Sequence, residues 1–165
     1  MTATPRLALP FLSAGQAQKE FFHNEALQTL DVVVAGAVED GPLSTPPASP
    51  ALGACYIVGQ TPTDAWTGNE QSIAAYTSGG WRFIPPFDGI SVYVKSTSVW
   101  ANFRAGAWEF GLLRGSGVMI GGVQVVGSRA APIASPAGGT TIDAEARATI
   151  DQMLNALRNH GLIDI

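Results

Sequence analysis

The sequence predicts an α+β chain: an N-terminal arm and helix, a small antiparallel β domain built on repeated hairpins, a Gly/Ala-rich connector, and a C-terminal helix suited to oligomerisation. Three observations carry that expectation. Short apolar runs in the middle of the chain alternate with glycine-rich turns about every ten residues, the spacing of a small antiparallel sheet. One pattern occurs twice, at Tyr76–Phe83 and Phe103–Phe110: an aromatic, two residues, Gly, a small residue, Trp, a charge and Phe. The last stretch, from Gly138, has apolar residues at helical spacing with a start and a stop signal at its ends.

Taken in order, Leu7–Leu12 is apolar and punctuated by proline, which suits an extended arm. Gly15–Glu20 reads as a polar turn. A helix is expected from Asn24, as N-cap, to Gly41-Pro42, with Leu27, Leu30, Val34 and Val38 on one face. The run Val32–Val34 is β-branched and lowers helix propensity, so this helix must rely on packing. Arm and helix together (1–42) offer apolar surface for a subunit interface through Leu27, Leu30 and Val34. Leu43–Pro50 is a proline-rich linker that opens the β domain (43–113).

Six strands are expected: Ala54–Val58, Ser72–Thr77, Trp81–Ile84, Ile90–Lys95, Val99–Arg104 and Ala107–Phe110. The repeated pattern is a hairpin whose glycine turn is followed by Trp and Phe on one face and a charge on the other. It puts Trp81 and Trp108 at equivalent inward positions. Residues 114–139, rich in Gly, Ala, Ser and Pro, form a connector with too few apolar residues for a core.

The C-terminal helix (140–165) starts with Thr140 and Asp143 in a capping-box pattern. Ala146, Ile150, Met153 and Leu157 line one face. Gly161 and Leu162 suit a Schellman closure folding back on Leu157. The stripe either docks on its own chain or meets copies of itself. The intervening connector and the low charge content favour self-association through Ile150, Met153 and Leu157, with Ile and Met at heptad positions compatible with three strands.

Composition narrows the function classes. Charged residues are 13% of the chain against 46% hydrophobic, about half the usual charged share. A net charge of −4 argues against a nucleic-acid surface. No apolar run is long enough to span a membrane, and MTATPRLALPFLSAG makes a poor signal peptide. Cys55 is the only cysteine and lies in an apolar run, which suits a buried inert thiol.

No catalytic, metal or cofactor site is expected. His23 and His160 have no ligand partners at metal-binding spacing, and Gly115-Ser116-Gly117 is a connector rather than a phosphate cradle. Asp64, Glu70, Asp88 and Glu109 leave a carboxylate pair for glycan cleavage as the weakest reading. The four tryptophans carry the alternative one. Trp66 and Trp100 either pack in the core or stack on a sugar face beside Asn102 and Arg104, as a carbohydrate-binding module for surface polysaccharide would require.

One block carries a family resemblance: L-P-F-x-x-A-G-Q-A-Q-K at Leu9–Lys19, H-N-E-A-L at His23–Leu27, and Leu30-Asp31. It resembles the opening of an uncharacterised-domain family found in fibre and spike proteins of tailed phages and gene transfer agents. The likeness continues through PPASPALGACYIVG, DAWTGNEQSIAAYTSGGWRFIPPFDG and AGAWEF, and VVGSRAAPIASPAGG onward resembles the closing segment of such proteins. The resemblance implies a structural or adhesive virion role, other virion proteins as partners, and a trimer or a five-fold spike base. It brings no catalytic residue.

Overall fold

The computed structural model describes residues 3–12 and 19–164. The chain forms two units, Met1–Leu112 and Leu113–Ile165. Most of the expected polar turn after the arm lies outside the described residues. Its last two residues, Lys19 and Glu20, open helix α1 (Lys19–Ala35).

The first unit contains two four-stranded sheets. One has the order β1 (Ala37–Val38), β6 (Ser91–Val94), β7 (Val99–Arg104), β8 (Ala107–Phe110). The other runs β2 (Asp40–Leu43), β3 (Cys55–Val58), β4 (Ile73–Thr77), β5 (Gly80–Ile84). Each is an antiparallel meander with one short parallel strand at its edge. A single segment supplies both edge strands. At its middle the Glu39 N–H donates to Cys55 O at 2.7 Å, and Glu39 O accepts from the Ser96 N–H at 3.1 Å. All six expected strands are present, to within a residue or two at each end.

The first helix differs from expectation at both ends. Asn24 is not its cap but lies inside it, and its side chain accepts from Leu12 N at 2.9 Å and donates to Leu12 O at 3.2 Å. The helix stops at Ala35 because Gly36 takes φ 51, a conformation glycine adopts without penalty. Val38 is then fully buried in the sheet rather than lying on the helix face. The β body therefore begins at Ala37, ahead of the expected linker.

The main core lies between the sheets: Val38, Cys55, Ile57, Ile73 and Ala75 meet Val92, Val94, Ala101 and Phe103, with Val32 of α1 joining them. Glu25 of α1 clasps Arg82 of β5 through both carboxylate oxygens, at 2.5 and 2.6 Å. A second cluster forms on the other face of β2–β5 from Leu43, Tyr56, Val58, Ala74, Trp81 and Phe83, closed by Trp66.

The repeated hairpins have the same register, Tyr76↔Trp81 and Phe103↔Trp108, and both indoles are partly buried. Their packing differs. Trp81 belongs to the second cluster, whereas Trp108 packs on the main core, so the equivalent inward positions expected of them are not equivalent. Alternation decides it, since Trp108 opposes the core residue Phe103 whereas Trp81 opposes Tyr76 on the other face, which is covered by the β3–β4 connection. That connection is long enough to form a short 3-10 turn, Asp64–Trp66, whose Trp66 covers the outer aromatics of that sheet. The tight β6–β7 turn has no such cover to give.

In the second unit, β9 (Val118–Ile120) and β10 (Val123–Val126) form an antiparallel hairpin inside the expected connector. Its turn is Gly121-Gly122, at φ 57 and 80. Helix α2 spans Ala144–Asn159. Asp143, not Thr140, is its N-cap, accepting from Ala146 N at 2.8 Å. The stop is as expected. Gly161 has φ 71, its N–H bonds Arg158 O at 2.9 Å, and Leu162 N bonds Leu157 O at 3.0 Å, the two bonds of a Schellman closure.

Candidate functional site

Strand alternation sorts the residues of β6–β8. Val92, Val94, Ala101 and Phe103 face the core, so Ser91, Tyr93, Trp100, Asn102, Arg104 and Glu109 share the outer face. Register makes them neighbours: Tyr93 opposes Trp100, Ser91 opposes Asn102, and Asn102 opposes Glu109. Tyr93 and Trp100 meet edge to face with centroids 5.7 Å apart, and Trp100 is 49% exposed. The Ser91 hydroxyl donates to Asn102 Oδ1 at 2.6 Å. The face is an aromatic shelf with amide, hydroxyl and charged groups around it, suited to stacking on a ring while bonding its substituents.

Three of the four expected sugar-contact residues, Trp100, Asn102 and Arg104, are thus brought together. The fourth is not. Trp66 is 0% exposed, packed edge to face on Trp81 at 5.1 Å, and it can stack on no external ligand. Tyr93, Ser91 and Glu109 were not foreseen as its replacements, because only cross-strand register shows them to be neighbours. Asp64, Glu70 and Asp88 sit exposed outside the strands, and Glu109 is half-buried on β8. Among the described residues no group of three or more His, Cys, Asp or Glu could hold a metal ion.

The expected interface residues fall into two sets. In the first unit Leu30 and Val34 of α1 are exposed and Leu27 is half-buried, with Phe21 and Phe22 also exposed on the same helix. In the second unit Ile150, Met153 and Leu157 are exposed, Met153 by 59%, while their neighbour Leu154 is only 5% exposed. Helix α2 therefore turns a different line toward its own unit. Along that line Arg147 donates to Gly138 O, and Arg158 donates to Ile133 O at 2.7 Å. The stripe of Ala146, Ile150, Met153 and Leu157 is left uncovered by its own unit.

A polar lock escaped the sequence reading. Asp31, 1% exposed, accepts from the Thr4 hydroxyl at 2.7 Å, Arg6 N at 3.0 Å and Leu7 N at 2.6 Å. Arg6 reaches on to Ala37 O at 2.7 Å and Cys55 Sγ at 3.2 Å. The arm is thereby folded as a tight turn on α1 rather than extended. Burial pushes the Cys55 thiol up to about 11, against the smaller opposing effect of the Arg6 guanidinium.

The helix, both sheets and the shelf lie almost wholly within residues 23–109, and that stretch matches the family model described as "Protein of unknown function (DUF2793)". The chain belongs to this family. The DUF2793 region opens inside α1 at His23 and closes in β8 at Glu109, so Asp31, Trp66, Trp100, Asn102 and Arg104 lie within it. The whole of the second unit lies beyond it. No curated protein and no solved structure matches the chain. Among the described residues no helix is long and apolar enough to cross a membrane.

Proposed function

We propose that this chain is a structural component of a phage-like particle, made in the bacterial cytoplasm and assembled as a homo-oligomer, most simply a trimer. Its place is the tail fibre or head spike of a tailed phage or gene transfer agent, where it contacts other virion proteins and supports attachment to the host surface. One observation carries the oligomer: α2 has an apolar stripe at Ile150, Met153 and Leu157 that its own unit does not use, while Leu154 beside it is buried. An uncovered stripe of this spacing is the form a helix takes when it meets copies of itself. The hairpin β9–β10 adds to it, since Val118, Met119, Ile120, Val123, Val125 and Val126 are all exposed. A lone hairpin is marginal in water, and packing against other copies would relieve that. The virion assignment rests on the resemblance of Leu9–Lys19 and His23–Leu27. Antibody labelling of purified particles, imaged by electron microscopy, tests it. Label should decorate the tail or the head vertices, and particles free of label would contradict the assignment.

A second reading, direct recognition of host polysaccharide, is favoured by the half-exposed Trp100 beside Asn102 and Arg104. It coexists with the first, as the shelf lies in the first unit and the α2 stripe in the second. Host polysaccharide should retain the protein in a pull-down, and Trp100→Ala should release it. Equal retention of the variant would remove the shelf from consideration. Release of cleaved sugar in the same assay would instead favour an enzyme.

A further inference from the structure

The first unit contains, besides the outer shelf, a cleft of about 300 Å³ lined by Ser44, Gln60, Thr61, Gln71, Trp108 and Phe110 among others. We propose that this cleft is a binding site for one neutral sugar ring, a proposal that rests on the carbohydrate reading but puts the contact elsewhere. Four features of the cleft argue for it.

The first is chemical balance. Two partly buried aromatic side chains, Trp108 and Phe110, both also packed on the main core, add apolar surface for the C–H side of a pyranose, and two amides and two hydroxyls can each both donate and accept. No charged residue lines the cleft, so it has nothing to pair with a phosphate, a carboxylate or an ammonium group. A wholly apolar ligand would strip water from the amides without replacing it. The second is availability. Among the described residues, the side chains of Ser44, Gln60, Thr61 and Gln71 make no hydrogen bond to the protein, so they are free to bond a ligand's hydroxyls.

The third is rigidity. The Trp108 indole N–H donates to Gln71 O at 2.8 Å, which fixes the ring plane against the loop that carries the amide. Residues from both sheets are therefore held at fixed separation before any ligand arrives. The fourth is strain. Gln71 has φ 61, a left-handed conformation unfavourable for a residue with a Cβ and concentrated at ligand sites. A glycine there would fold more easily, so the side chain sits at a local cost. The volume is at the low end for small-molecule sites, about 300–1,000 Å³, which suits a single ring or a chain end rather than a long polymer.

Gln71→Gly separates binding from folding, because it removes the amide and the strain together. The test titrates glucose, galactose, N-acetylglucosamine and, as the charged counterpart, glucuronate into the full chain and follows backbone amide shifts by NMR. At least one neutral sugar should shift Gln60, Thr61 and Gln71. Gln71→Gly should melt no lower than the unmodified protein yet bind about tenfold more weakly, while Trp100→Ala binds as before. Three results would overturn the proposal: glucuronate binding as well as the neutral sugars, binding unchanged in Gln71→Gly but lost in Trp100→Ala, or no neutral sugar bound at all. The second of these would leave the outer shelf as the carbohydrate site, and the third would remove the cleft while the polysaccharide pull-down decides the shelf.

Discussion

Asp31 shows how one side chain can organise a terminus. It stands in α1 one turn before the helix ends, and its carboxylate takes three donors from the arm. Asp31→Ala would leave those donors without an acceptor in a buried site, each worth about 1–3 kcal/mol. Urea unfolding should show a loss of about 3 kcal/mol, whereas Asp88→Ala, on an exposed turn, should stay within about 0.5 kcal/mol. Cys55 supplies a pH dependence. Its thiol loses a proton near 9.0 when unfolded but only at about 11 when folded. The folded state therefore binds more protons in that window, so stability is full below 9.0 and falls as pH rises toward about 11. Thermal melting of the unmodified protein should decline across that range, and Cys55→Ser should flatten the decline. Residue roles were the least legible part of the sequence. The buried thiol could be read from its apolar run, but Trp66 and Asp31 could not. Whether an indole is covered, or a carboxylate meets three donors, depends on segments 10 to 27 residues distant in the chain.

At the scale of elements the sequence was far more informative, for reasons that are local. Apolar runs bounded by glycine and proline located the six strands, because strand limits are set by turn chemistry a few residues away. The Schellman closure at Gly161 was legible for the same reason. Helix α1 was not, since its end is decided by competition. Val32–Val34 fits the helical stripe, yet Val38 gains more by full burial between the sheets, and Gly36 lets the chain change direction. The cap of α2 was misplaced by one turn, as Thr140 and Asp143 are both good capping residues and only geometry chooses. Asp143→Ala should cost α2 about 1 kcal/mol, seen as faster amide exchange at the helix start, while Thr140→Ala should leave exchange there unchanged. Faster exchange in Thr140→Ala alone would return the cap to Thr140.

For the whole molecule, the contrast between the units matters most. The first has a two-sheet core, a helix tied to it by the Glu25–Arg82 pair, and a second aromatic cluster. Among the described residues, the second unit has only Leu154 and Ile163 as buried apolar residues, little for a segment of its length to fold on. Its missing burial should come from other copies of the chain. Ile150→Asp with Leu157→Asp should then lower the solution mass while the near-ultraviolet signal of the tryptophans, all in the first unit, stays unchanged. Loss of both together would mean that the substitutions unfold the protein instead of dissociating it. Light scattering on the unmodified protein at micromolar concentration tests self-association most directly. The expected mass is a multiple of the chain mass of 17.2 kDa, three copies being the simplest, and a particle of 17.2 kDa would rule self-association out.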